Sequence, residues 1–417
     1  MNTTAPNSDP AITPEQPLYP PYRRWVHVLA LLLIAATFVL IAIGGHVTSK
    51  DAGMAVPDGF TTFGVWSLIA PLETWWYDEG TRLEHSHRLK GYVVGSLTIA
   101  LLVAVMFTQR RRRWVKVLAW GLLVFVVLQG IMGILRVDEV SVFLAGIHGV
   151  TGQIFFCLTV LMATALSRFW MTRPTDTDEQ RHRKTLRIAP LVLLGGLLVQ
   201  LMLGSAVRHS QSALAIPDWP FHYGQVMPPM SQDDIDAAVV AVPEDERAER
   251  FAPAKIDAET GEVLPGTYEA WQVHLHFTHR LGAYALFIFG IGYVAWLWRT
   301  YPGQMAVLIP ASLFAGFLLL QVGLGVMTVL SGEHYTLATS HQSVGAILIA
   351  TATWLAVRLH LIPSGNNRPA NIPVAAGDAT TEVFRKSSPN LDADPALSQG
   401  ESTPSSPQAT PPQTVHA

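Results

Sequence analysis

Eight mainly apolar runs alternate with short polar segments along the chain: 25–45, 87–107, 115–135, 142–167, 188–207, 279–298, 305–330 and 337–361. A helix needs about 20 apolar residues to cross a bilayer's hydrocarbon core, and a barrel strand only about half as many. Runs this long predict helices, which satisfy every backbone group internally where no water is present. The pattern predicts an all-α membrane protein with eight transmembrane helices.

The polar segments sort by charge. Arg23 and Arg24 precede the first run, and Arg110 to Arg113 join the second to the third. Arg181, Arg183, Lys184 and Arg187 lie between the fourth and fifth, Arg299 follows the sixth, and Arg358 lies near the end of the eighth. If the spans alternate, all of these fall on one side, which basic flanks identify as cytoplasmic. The segment at about 221–270 carries Asp233, Asp234, Asp236, Glu244, Asp245, Glu246 and Glu249 and is expected to be an acidic external loop. Both termini are then cytoplasmic, in a multi-pass protein of the cell membrane. Residues 1–22 are polar and Pro-rich, without the basic start and apolar centre of a signal peptide. They are expected to be disordered, as is the Ser-, Pro-, Asp- and Thr-rich tail 362–417.

The same unit of four spans occurs twice. "VTSKDAGMAVPD" (47–58) follows the first span and "VRHSQSALAIPDWP" (207–220) follows the fifth, aligning Ala55 with Ala215, Pro57 with Pro217 and Asp58 with Asp218. "HRLKGY" opens the second span and "HRLGAY" the sixth. "QGIMGI" lies in the third and "QVGLGV" in the seventh; "AGIHG" opens the fourth and "ATSHQ" the eighth. Each unit has an even number of spans, so the copies are parallel repeats. This predicts two four-helix bundles, 23–170 and 188–361, joined by a cytoplasmic linker at 171–187.

Composition narrows the chemistry. Of 417 residues, 14% are charged and 50% hydrophobic, against about a quarter charged in soluble chains; the mean hydropathy is +0.30. The one cysteine, Cys157, excludes an intrachain disulfide, a Cys-rich zinc site and covalent heme attachment through CxxCH. It reads as a small buried hydrophobe. The net charge of -3 gives no reason to expect a nucleic-acid partner.

Each unit places one histidine at the outer start of its second span and one at the outer start of its fourth: His87 and His148, then His279 and His341. Two inward histidines on different helices of a four-helix bundle can ligate a heme between them. Two sites of two histidines fit axial heme ligation better than zinc, which needs three or four converging ligands. Arg88 and Arg280 follow their histidines and could meet heme propionates or could snorkel and fix helix depth. Arg136 and Arg208 are further outer-side candidates. Glu84 lies one turn before His87 on the same helix face, and its counterpart is His276. This asymmetry predicts a reactive heme in the first half and a passive electron-transfer heme in the second, unless Glu84 merely caps its helix. His27, His46, His85, His209, His222, His274 and His334 are expected to be mostly solvated or interfacial, with His274 and His276 as rivals to His279.

With "EHSHR" at the second span, "HFTHR" at the sixth, the loop "AIPDWP" and eight spans in two parallel halves, residues 22–361 resemble the heme A synthase family. The resemblance implies oxidation of a ring methyl of heme O to a formyl group by two successive hydroxylations, giving a gem-diol that loses water. It implies heme O as substrate in the N-terminal half, with Glu84, His87 and His148. It also implies heme b in the C-terminal half, ligated by His279 and His341. Membrane lipid, heme O synthase and an electron donor are the expected partners, and self-association is left open. The external cysteine pairs of some members are missing, and "VPDGF" in the first copy departs from "IPDWP". The rival reading is a diheme b-type electron-transfer cytochrome. A transporter fits less well, because the polar groups lie near the outer ends rather than the midplane.

Overall fold

The computed structural model describes residues 21–171, 184–241, 255–256, 263–264 and 268–361. The two terminal segments, Arg181, Arg183 and the acidic residues Glu244 to Glu249 lie outside these. Among the described residues, eight helices are long and apolar enough to cross a membrane. They are α1 (Arg24–Ser49), α2 (Glu79–Thr108), α3 (Arg113–Asp138), α4 (Val142–Leu166), α5 (Lys184–His209), α6 (Ala270–Thr300), α7 (Met305–Leu330) and α8 (Tyr335–Leu361).

Two helices start earlier than their apolar patterns. α2 begins eight residues before His87 and α6 nine before His279, so these histidines lie two turns inside a helix. Polar residues build the extra turns because caps hold them. Asp78 accepts the Thr81 N–H at 2.7 Å, and the Glu269 N–H donates to Gln272 Oε1 at 3.0 Å, each satisfying an N–H that a helix start leaves open. Ser141 caps α4 through the Leu144 N–H.

The helices close into two rings. α1 packs on α2 and α4, and α3 also packs on α2 and α4; α5 packs on α6 and α8, and α7 also packs on α6 and α8. The rings meet where α8 touches α1 and α4, and where α4 touches α5. Backbone detail repeats with the sequence. Left-handed φ values recur at Asp51 and Gln211, Phe63 and Tyr223, Gly64 and Gly224, and Val140 and Glu333.

Each ring has an apolar buried cluster toward one end. In the first, Leu33, Leu101, Leu122, Met162 and Leu166 form a buried cluster; in the second, Leu193, Leu297, Leu308, Phe314 and Leu355 do so. These residues lie toward the α2–α3 and α6–α7 connections. The histidines lie toward the other end, under the loops joining α1 to α2 and α5 to α6. The acidic segment contributes a helix, Gln232–Val240, whose Ile235 and Val239 pack on Ile216 and Val273. Cys157 is buried in the cluster of the second ring.

Candidate functional site

All four histidine rings back onto a glycine of the preceding helix. A methyl group built on Gly44 of α1 would lie 2.9 Å from His87 Cε1, on Gly204 of α5 3.0 Å from His279 Cε1, and on Gly325 of α7 3.0 Å from His341 Cε1. At Gly133 of α3 the distance to His148 Cε1 is 3.5 Å. At Gly44, Gly204 and Gly325 only a residue without Cβ lets the ring settle this close to a neighbouring backbone, whereas at Gly133 an added methyl would be in ordinary contact. The glycines match between repeats, Gly44 with Gly204 and Gly133 with Gly325. Sequence reasoning missed this role, although "QGIMGI" and "QVGLGV" carry two of them at the same place.

Each ring turns its Nδ1 toward protein, and His341 Nε2 lies 3.4 Å from Gln321 Nε2. Nδ1 of His87 and of His148 is buried, turned toward the carbonyls of Leu40 and Gln129 without closing a hydrogen bond. His341 Nδ1 lies 3.1 Å from the Gln321 carbonyl oxygen, and His279 Nδ1 lies 3.0 Å from Gln200 Nε2. At His341 an Nδ1–H donated to the carbonyl orients the ring and leaves the Nε2 lone pair for a metal. The Gln200 amide at His279 is instead a donor, so ligation there through Nε2 requires this contact to rearrange. The rings as a whole are half-buried rather than sealed. His87 and His148 sense each other electrostatically, as do His279 and His341. Paired imidazoles on glycine-backed seats fit axial ligation of one heme in each ring.

The external loops clasp α2 and α6 in matching ways. Glu84 is 2% exposed. Its Oε2 accepts the Val56 N–H at 2.8 Å and its Oε1 accepts from Arg88 Nη2 at 2.7 Å. At the equivalent place His276 Nδ1 lies 3.3 Å from the Ile216 N and Nε2 lies 3.2 Å from Arg280 Nε; a neutral imidazole accepts at only one of the two. Glu84 is therefore not the cap of α2; Asp78 is. Arg88 donates to the carbonyls of Thr61 and Val56, and Arg280 to those of Ile216, Asp218 and Phe221. Both guanidinium groups thus bind loop backbone. His276 has both nitrogens engaged, and His274 Nε2 lies 2.9 Å from the Met230 carbonyl.

The loops themselves are held by matched aspartates. Asp58 Oδ2 accepts the Gly64 N–H and Asp218 Oδ2 the Gly224 N–H, both at 2.7 Å, so "VPDGF" and "IPDWP" build one turn despite their differing ends. The Gly64 N–H, with Thr61, holds the Asp58 carboxyl below its ordinary range. Tyr223 donates to the Ala215 carbonyl at 2.6 Å, and burial pushes its phenol up so that it stays a donor. Two histidines expected to be solvated are buried. His85 bonds Thr62 through Nδ1 at 2.9 Å and stacks on Trp75, ring centres 4.1 Å apart. His222 packs edge-on against Phe277 at 5.0 Å. Thr62 corresponds to His222 and His85 to Phe277, so one contact is built twice with its histidine on opposite sides. No single-strand pattern could reveal such an exchange.

Comparison with known proteins matches residues 27–353 to the cytochrome oxidase assembly protein family. The chain is 25% identical over 368 residues to a heme A synthase of Caulobacter sp. strain K31, covering 81% of this chain and 96% of that one. It is 25% identical over 340 residues to a heme A synthase of Lysinibacillus sphaericus, covering 80% and 94%. Against a heme A synthase of Listeria monocytogenes the figure is 23% over 275 residues, covering 66% and 76%.

Proposed function

This chain belongs to the cytochrome oxidase assembly protein family, that of the heme A synthases, and from that premise we propose that it oxidises a ring methyl of heme O to the formyl group of heme A. Converting methyl to formyl is a four-electron oxidation of one carbon, taken as two hydroxylations and loss of water. In this reading heme O lies between His87 and His148, and heme b between His279 and His341. Heme b, when bound, supplies one-electron redox chemistry. The rest falls to side chains. The four histidines orient the two macrocycles, the apolar floor of each ring keeps water out from one end, and the clasped loops cover the other.

The observation that carries the reading is the exchange of Glu84 for His276 inside an otherwise repeated clasp. A carboxylate one turn from His87 gives the first half a proton acceptor, at the point where substrate oxidation releases protons. The second half, with no such carboxylate, suits a heme that only relays electrons. The proposal places the protein in the cell membrane with both termini in the cytoplasm and the heme sites toward the outer face. Heme O synthase and an electron donor are its partners. A diheme b-type cytochrome would use the same four histidines but would give Glu84 no chemical role. The test is Glu84→Ala in cells supplied with heme O. The low-spin heme b spectrum is expected to persist while heme A output stops and heme O or a hydroxylated intermediate accumulates. Normal heme A output would remove Glu84 from the reaction.

A further inference from the structure

Two half-buried cations beside the histidines are left over by the loop clasps, and their placement is regular. Arg136 lies three residues beyond Gly133, the seat of His148, and Arg208 lies four residues beyond Gly204, the seat of His279. At about 1.5 Å rise per residue, both guanidinium groups stand one turn outward of a histidine ring. The corresponding positions of the other two seats are Thr48, four beyond Gly44, and Thr328, three beyond Gly325. These hydroxyls only bond back to their own helices, to the carbonyls of Gly44 and Leu324. Each half therefore carries one cation at this level, supplied by α3 in the first half and α5 in the second.

Neither cation is saturated. Among the described residues Arg136 makes one hydrogen bond, Nη2 to the Gly53 carbonyl at 3.2 Å. Arg208 donates to Ser49 Oγ at 2.9 Å and faces Glu333 at 3.8 Å, while its Nε is buried without a partner. A buried unpaired donor costs free energy unless a ligand completes it. Arg136 is within electrostatic reach of His87 and His148, and Arg208 of His341. Arg88 and Arg280, the sequence-level candidates, already have their guanidinium groups committed to loop carbonyls.

We propose that Arg136 and Arg208 are the carboxylate anchors of the two sites, each binding a propionate of the heme in its own half. The inference rests on reading the halves as heme sites and adds which side chains fix the heme's polar edge. Because the anchors come from different helices, α3 and α5, the two hemes would be held from non-equivalent sides despite the repeat.

The test uses the full chain purified in detergent from heme-limited cells. It is titrated with ferric protoheme and with protoheme dimethyl ester, which keeps the iron and ring but lacks the carboxylates. Wild-type protein is expected to prefer the acid by roughly 10- to 100-fold, as for a hydrogen bond to a charged group. Arg208→Gln should lower acid affinity by that factor, leave ester affinity unchanged and keep the low-spin bis-histidine spectrum. Arg280→Gln should retain the preference. With the second half loaded with heme b, Arg136→Gln should do for heme O and its ester what Arg208→Gln does for protoheme. Preference surviving in Arg208→Gln, or lost in Arg280→Gln instead, would overturn the assignment while the heme reading stood. Wild-type protein that forms no low-spin heme would overturn that reading and this inference with it.

Discussion

Filling a glycine seat should weaken heme binding without harming the fold. Carbon atoms pack best at about 3.5–4.0 Å. A Cβ at Gly204 or Gly325 would meet Cε1 of His279 or His341 at 3.0 Å, so the ring must retreat by about 0.5–1 Å. Turning a side chain about 30° off its rotamer costs about 0.5–1.5 kcal/mol, or roughly 2- to 12-fold in affinity. Alanine is favoured over glycine in a helix by about 1 kcal/mol, so the apoprotein should be no less stable. The control lies two residues away: Gly323 has nothing within 4 Å of its added Cβ. The assay is heme content per protein, the low-spin absorption band and thermal unfolding for Gly204→Ala, Gly325→Ala and Gly323→Ala. Reduced heme loading at limiting heme in the first two with unchanged melting of the apoprotein, and wild-type loading in the third, is the expected result. Equal loading in all three would refute the idea that these glycines seat the ligand rings.

Other consequences follow from the same contacts. His279→Ala and His341→Ala should each abolish the low-spin heme b spectrum; its survival would move the ligand to another histidine. In the substrate half, Gly44→Ala, with its 2.9 Å contact, should lower heme O turnover more than Gly133→Ala, with its 3.5 Å contact; the reverse order would contradict the geometry. Asp58 has its carboxyl held below the ordinary 3.8 by the Gly64 N–H and Thr61. The turn it stabilises should therefore be intact above that value and lost as pH falls through the lower, folded one. Faster amide exchange around 58–64 on acidification, and already at neutral pH in Asp58→Ala, would be the sign. Exchange that ignores both changes would count against it.

Much of the architecture is written in apolar run length. Eight runs gave eight helices, because only a spanning helix needs so many apolar residues in a row. The starts of α2 and α6 were not legible that way. "EGTRLEHS" and "AWQVHLHFT" mix polar and apolar residues in helical turns fixed by caps, and hydropathy does not report caps. The recurrence of His87 and His148 as His279 and His341 was visible because duplication printed it twice. The same duplication marked Glu84 against His276 as the place where the copies part. It could not show that both side chains lie against the same loop backbone N–H, since that contact brings Val56 to Glu84 and Ile216 to His276 across a fold. The glycine seats were hidden for another reason. A glycine in an apolar helix ordinarily means helix–helix contact, and only the neighbouring ring gives Gly204 or Gly325 its meaning. The arginines show the limit of reading by adjacency: Arg88 and Arg280 follow the histidines in sequence but turn to the loop. Arg136 and Arg208 reach the same level from other helices.

The most direct measurement is extraction and chromatography of the non-covalent hemes from membranes that contain this chain, a heme O source and a working electron donor. The account predicts heme A, or its hydroxylated precursor, only when the intact chain is present. Unchanged heme B and heme O from folded, heme-loaded protein would contradict it and leave a diheme electron-transfer cytochrome in its place.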